Sequence, residues 1–281
     1  MLNGIIVNIN SNRFKVLVND KEYICSARGK FRNDKITPLV GDNVLFNEKT
    51  LQIEKILERK NFLLRPMIAN VDIAVVITST KEPDLDLNLL DKLLTVIHKN
   101  KIKPLICFTK TDLLNEEEKK NYLNIRKYYE KYYDALDSTE ISKFKEIIQN
   151  KVVVLCGQTG AGKSTFINKI DNKLNLETNE ISKVLGRGKH TTRMVSLYKE
   201  DGFFISDTPG FSSLSLENIS FEDLNNAFVE FSSFKCKYND CNHINTQGCS
   251  IENNEEILPS RYENYKLFLK EIYENRSKLF K

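Results

Sequence analysis

Residues 156–165 read CGQTGAGKST, placed after the apolar run 152–155 and before a segment with helical spacing. A strand, then a glycine-rich turn, then a helix is the setting a phosphate-binding loop requires. Its glycines Gly157, Gly160 and Gly162 let backbone N–H groups close around phosphate oxygens at a helix N-terminus. Lys163 is expected to neutralise the β and γ phosphates, and the Ser164 hydroxyl to coordinate Mg2+. Gln158, Thr159, Ala161 and Thr165 complete the stretch expected to bind nucleotide. A glycine-rich turn that binds nothing is the bland alternative, disfavoured by the strand before it and the helix after it.

More than half of the 281 residues precede this loop, and the other motifs explain why. Asp207-Thr208-Pro209-Gly210 ends the apolar run 203–205. Asp207 is expected to hold Mg2+ through water, and the Gly210 N–H to meet the γ-phosphate. Phe211 follows where many GTPases carry a water-orienting Gln, and a phenyl ring cannot polarise water. His190, within Gly188-Lys189-His190-Thr191-Thr192, is the candidate for that role, since an imidazole can orient the attacking water. The competing reading of His190 is an RNA contact or a loop cap. Thr191 or Thr192 is expected to close over Mg2+, and the sequence does not choose between them.

Thr109-Lys110-Thr111-Asp112 ends the run 105–108 and matches a guanine-reading Asn-Lys-x-Asp motif with Thr in place of Asn. Asp112 would accept from guanine N1–H and the 2-amino group; adenine offers no such pair, so GTP is favoured over ATP. Lys110 and Thr109 complete the base side, although a hydroxyl cannot reproduce the two-ended amide of Asn. Ser138-Thr139 is a further weak candidate for base contact. The order along the chain is therefore base reader, phosphate loop, switch threonines, magnesium acid. A GTPase normally reads the base last, so this chain is circularly permuted. The sheet fixes where the loops sit rather than their order, which makes the permutation physically harmless.

Composition sets the frame. The hydrophobic fraction is 41% and the charged fraction 28%, ordinary for a soluble protein, and the longest apolar run, 73–77, is too short to span a bilayer. The N-terminus does not have the pattern of a secretion signal, so a cytoplasmic protein without membrane attachment is expected. Residues 1–66 hold 12 Lys/Arg and 7 Asp/Glu, a net of +5; against the total of +4 this leaves 30 basic and 31 acidic residues, a net of −1, for the remainder. A basic N-terminal quarter suits a module that meets a polyanion, and a solvated Lys-rich surface is the alternative.

Short alternating segments fill residues 4–57: Ile5, Val7 and Ile9; Phe14, Val16 and Val18; Tyr23 and Cys25; Val44 and Phe46; Leu51, Ile53 and Ile56. With turns at 10–12 and 19–20 they predict a small antiparallel barrel of about five strands, of oligonucleotide-binding (OB) type. Near-continuous apolar runs at 73–77, 105–108, 152–155 and 203–205 predict a parallel sheet clad by helices over 87–98, 116–133 and after Gly162. From Ser220 the pattern is helical, and Tyr262, Tyr265, Phe268, Leu269 and Ile272 mark one face of a last helix after Pro259.

Cys25, Cys107 and Cys156 lie singly in apolar runs and are expected to be inert core residues. Cys236-x4-Cys241-x-His243-x5-Cys249 is different: three thiolates and an imidazole make a full tetrahedral shell for Zn2+. Four protein ligands leave no open position, so one structural zinc is expected, its binding energy supporting a small helical element.

Taken together, these motifs in this order resemble the bacterial circularly permuted GTPases that depend on the small ribosomal subunit, the RsgA (YjeQ) family, along essentially the whole chain. The resemblance implies an OB-fold RNA-binding barrel over 1–64, a circularly permuted GTPase domain over 65–218 and a zinc-binding helical domain over 219–281. It implies late maturation of the small (30S) subunit, binding to ribosomal RNA, and slow GTP hydrolysis that the subunit stimulates. The family's hydrolytic switch histidine falls on His190 and its zinc ligands on Cys236, Cys241, His243 and Cys249. Thr109 and Thr139 depart from the family pattern, both on the base side. Expected partners are the small subunit and its rRNA, GTP and GDP, and other assembly factors, with the chain itself a monomer. The rival readings are an RNA-binding assembly factor with a vestigial nucleotide site and a P-loop ATPase.

Overall fold

The computed structural model describes residues 1–27, 37–64, 67–170, 195–200, 202–206 and 216–279. Strands β1 (Leu2–Asn10), β2 (Arg13–Val18), β3 (Lys21–Ala27), β4 (Asn43–Asn47) and β5 (Gln52–Ile56) close into a barrel in the order β1-β2-β3-β5-β4. β4 pairs antiparallel with β1, and a short parallel ladder between β3 and β5, Ser26 to Gln52 and Ala27 to Ile53, completes the ring. Closure leaves no free sheet edge. Ile6, Phe14, Val16, Cys25, Val44, Phe46 and Ile53 fill the barrel, and Tyr23 tilts onto Phe46 at 5.1 Å.

In β1 the structure differs from the simple alternation of Ile5, Val7 and Ile9. The register against β2 shifts between Ile6 and Asn8, and this bulge turns Ile6 into the barrel core while Ile5 stays half-buried. An extra residue on one strand breaks the two-residue period locally, so the pattern inverts across it.

β6 (Phe62–Leu64) and β7 (Met67–Ala69) form a separate two-stranded ribbon. A six-stranded sheet then runs β10-β9-β8-β11-β13-β12, with β8 at Ile73–Ser79, β9 at Lys103–Thr109, β10 at Asp134–Asp137, β11 at Val152–Gly157, β12 at Leu197–Glu200 and β13 at Phe203–Ser206. β10 with β9 and β11 with β13 are parallel, whereas β12 is an antiparallel edge. Every residue of β8 is buried, as expected where helices cover both faces.

Helix α1 (Leu87–Lys99) starts where Asp86 accepts from the Leu89 N–H, and it buries Leu90, Leu93, Leu94 and Ile97. Helix α2 (Glu116–Glu130) opens with a reciprocal Asn115–Glu118 capping box, which satisfies two otherwise orphaned N–H groups. Helices α3 (Ile141–Ile148) and α4 (Lys163–Ile170) meet through an edge-to-face pair, Phe144 and Phe166, at 4.9 Å. Helix α5 (Phe221–Ala227) opens with a reciprocal Ser220–Asp223 capping box, and α6 spans Pro259–Leu279. No helix among the described residues is long and apolar enough to cross a membrane.

By compactness the chain divides into one unit of 1–75, 140–156 and 163–211 and another of 76–139, 157–162 and 212–281. The second unit is organised around Arg261. Its guanidinium has no solvent exposure, and neither do Asp91 and Glu230, its partners. It donates to Asp91 at 2.7 Å and to both oxygens of Glu230 at 2.7 and 2.9 Å, and lies 4.0 Å over the Phe228 ring. Tyr129 and Asn264 donate to Asp91, and Tyr128 to Glu230. One cation thereby joins α1, the short turn Val229–Ser233 and α6.

Removing one partner of such a cluster leaves buried charge without compensation. Arg261→Met is expected to lower unfolding stability by about 3–5 kcal/mol, read as a drop in the denaturant midpoint at unchanged slope. A midpoint equal to that of the wild type would show that the cluster contributes nothing net.

Candidate nucleotide site and metal centre

The phosphate-loop stretch leaves β11 at Gly157 and enters α4 at Lys163. Gly157 is demanded by sterics: its φ is +133°, and a Cβ there would stand 1.9 Å from the Ile77 carbonyl oxygen. Only glycine lets β11 end this close to β8. Beyond it Gln158 is half-buried, Thr159 and Gly160 are exposed, and Ala161 is fully buried, its N–H donating to Gln158 at 3.2 Å. Gly162, Lys163 and Ser164 are half-buried and Thr165 is exposed. Behind the loop, burial raises the Cys156 thiol well above its ordinary range. Cys25 is pushed up to about 11 by desolvation, so neither of these two is a thiolate at neutral pH; Cys107 is equally buried.

The base-reading motif begins at the last residue of β9. Thr109 is buried and its Oγ1 donates to the Ala161 carbonyl oxygen at 2.7 Å. Lys110 adopts a left-handed φ of 59° and turns the chain into the short 3-10 segment Thr111–Leu113. Its Nζ donates to the Glu82 carbonyl, and Asp112 is exposed on that segment. The neighbouring strand end, β10, delivers Ser138, whose N–H donates to the Phe108 carbonyl at 2.8 Å, followed by the exposed Thr139. Base-side and phosphate-side loops thus meet through Thr109 and Ala161. His190, Thr191, Thr192, Asp207, Gly210 and Phe211 lie outside the described residues.

Cys236, Cys241, His243 and Cys249 bring their ligand atoms within 4.8 Å of one another. Cys236 Sγ lies 3.5 Å from His243 Nδ1 and 3.9 Å from Cys249 Sγ, and Cys249 Sγ lies 3.7 Å from the same nitrogen. A tetrahedral ion with metal–sulfur bonds of about 2.3 Å and a metal–nitrogen bond of about 2.0 Å would set these edges at about 3.8 and 3.5 Å. Backbone N–H groups point at the sulfurs: Ser250 at Cys236, His243 at Cys241, Ile251 and Glu252 at Cys249, each at 3.4 Å. Without a cation, burial pushes the Cys249 thiol up to about 11. A divalent ion would reverse that cost by pairing the thiolates. Burial also lowers the pKa of His243, which keeps the imidazole neutral, the form that ligates. The four residues together could hold a metal ion.

Residues outside the motifs support both sites. Tyr262 and Tyr265 of α6 donate to the His243 and Asn242 carbonyls at 2.7 and 3.1 Å, and Phe231 meets the His243 ring edge-on at 5.3 Å. Thr80, Ala161's carbonyl and Arg261 were not legible as site supports from the sequence. Arg261 left one signal: it sits three and four positions before Asn264 and Tyr265, on the face α6 buries. A charged residue at a core-facing helical position requires a buried counter-charge.

The family model for the RsgA GTPase matches residues 56–217, and that for the RsgA N-terminal domain matches residues 3–53. The chain is 42% identical over 286 aligned positions to a protein of Oceanobacillus iheyensis named small ribosomal subunit biogenesis GTPase RsgA 2, covering 97% of this chain and 98% of that one. A relative in Limosilactobacillus reuteri, named small ribosomal subunit biogenesis GTPase RsgA, is also 42% identical, over 95% of this chain and 96% of its own. Among solved structures, YjeQ from Thermotoga maritima superposes with a TM-score of 0.83 at 31% identity, over 96% of this chain and 98% of its own. YloQ, described as a circularly permuted GTPase, gives 0.81 at 33%, over 97% and 95%. The chain belongs to the RsgA GTPase family.

Metal removal tests the cluster directly. Stripping the protein with a strong chelator is expected to expose the backbone amides of 236–257 to hydrogen exchange, and Cys249→Ser to abolish stoichiometric metal. Unchanged protection after the metal is gone would mean that the loop is held by Tyr262 and Tyr265 alone.

Proposed function

We propose that this member of the RsgA GTPase family hydrolyses GTP during late maturation of the small ribosomal subunit. The observation that carries the reading is the meeting of the base-reading and phosphate loops at Thr109 and Ala161, in a chain where the base reader comes first. Asp112 selects guanine, with Lys110 beside it. The loop from Gly157 to Thr165 wraps the phosphates with its N–H groups, and Lys163 supplies the positive charge.

Ser164, Thr191 or Thr192, and Asp207 would hold Mg2+, which would supply neutralisation of the phosphate charge. Gly210 donates to the γ-phosphate. His190 orients the attacking water, the task that Phe211 cannot perform. The ion at Cys236, Cys241, His243 and Cys249 is zinc: all-sulfur-and-nitrogen ligation, tetrahedral edges and a closed shell support it over Mg2+ or Ca2+, which take oxygen ligands. Its role is structural.

The domain division is 1–64, 65–218 and 219–281. The barrel, with its basic surplus, meets ribosomal RNA; names of the relatives quoted above support the small subunit as the partner. The protein acts in the cytoplasm as a monomer, alongside other assembly factors.

Turnover with and without purified small subunits tests the assignment. Subunits are expected to accelerate GTP hydrolysis, and His190→Ala to reduce the accelerated rate by about 10²–10⁴-fold while GTP binding persists. An unaccelerated wild type would contradict the ribosomal role, and a fully active His190→Ala would remove the histidine from catalysis.

A further inference from the structure

Thr109 stands where the guanine-reading motif ordinarily carries an amide, and its hydroxyl proton is already committed. Its Oγ1 donates to the Ala161 carbonyl at 2.7 Å; the other nearby acceptor, the Thr78 carbonyl, is at 3.4 Å. A hydroxyl has one proton to give, so the shorter contact takes it. The Thr109 carbonyl in turn accepts from the N–H and the Oγ1 of Thr80, both at 3.0 Å. Thr80, Thr109 and Ala161 are all buried. Two consecutive rungs therefore run from the segment after β8, through the end of β9, to the phosphate loop.

We propose that Thr109 is a positioning residue: its hydroxyl holds the base-reading turn in register with the phosphate loop, so guanine selection by Asp112 depends on a group that does not touch the base. The proposal rests on the GTP reading above. It follows from where the proton goes. Without the Thr109 hydroxyl, the buried Ala161 carbonyl loses its side-chain donor, and the loop relaxes to find another partner. The turn bearing Lys110 and Asp112 starts at the next residue, so it moves with Thr109.

The test compares GTP with inosine triphosphate, which lacks the 2-amino group and so offers Asp112 one donor fewer. In the wild type GTP should bind more tightly. Thr109→Val keeps the shape and removes the donor; it is expected to weaken GTP on the order of tenfold, the scale of one buried acceptor left unpaired, and to weaken inosine triphosphate less, so the ratio between them collapses. Thr109→Ser keeps the hydroxyl and should stay within about twofold of wild type on both nucleotides. A residue that only filled space would leave the ratio untouched. A wild-type ratio in Thr109→Val, or a Thr109→Ser that behaves like Thr109→Val, overturns the proposal. If Thr109→Val does not fold, Thr80→Val, one rung away, is read in the same way, with a reduced ratio expected and an unchanged one contrary. Wild-type protein that binds neither nucleotide would overturn the GTP reading instead.

Discussion

A guanidinium that never meets water holds the C-terminal part of this chain to the base-reading part. Arg261, Asp91 and Glu230 come from α6, α1 and the turn at Val229–Ser233, and Asp91 and Arg261 are 170 positions apart. Two carboxylates around one cation are tolerable only because Tyr128, Tyr129 and Asn264 add donors. Burial raises the Asp91 pKa while Arg261 opposes the shift. A buried cluster of this kind is a poor source of net stability against an apolar equivalent, but it tolerates few alternative packings. The aromatic residues around it, Phe228, Phe231, Tyr265 and Phe268, also back the loop that carries the Cys3His cluster. Placement of the cation and order in that loop are therefore linked.

The same compact unit contains the base reader, residues 157–162 of the phosphate loop, and the Cys3His cluster. In a permuted chain this grouping has a simple origin. The strands that end at Thr109 and Asp137 come early, so their helices are free to receive the C-terminal part of the chain. Here that is α5, the Cys3His loop and α6. Local signals and tertiary demands agree at each junction: Asp86, Asn115 and Ser220 cap their helices, and Gly157 permits the approach to Ile77.

Much of this was legible in the sequence because the signals were local. Alternation named the barrel strands, unbroken apolar runs named β8, β9, β11 and β13, and the spacing of Cys236, Cys241, His243 and Cys249 named the cluster. Three features escaped for physical reasons. The bulge in β1 reverses which side chains face inward, and period counting cannot see an inserted residue. The strand β10 and the helix α3 are too short for periodicity to separate them from loop. The Thr109 contact joins a strand end to a loop 52 positions away, and nothing local in the sequence marks a threonine hydroxyl as the donor to a distant carbonyl.

Under the proposed function the Asp112 carboxylate, encoded ahead of the phosphate loop, reads guanine. Nucleotide preference of Asp112→Asn measures it most directly. An amide at this position can accept from N1–H and donate to a 2-oxo group, which suits xanthine and no longer suits guanine. Wild-type protein is expected to bind GTP over xanthosine triphosphate, and the variant to reverse the order. A variant that retained the wild-type preference for GTP would contradict that reading.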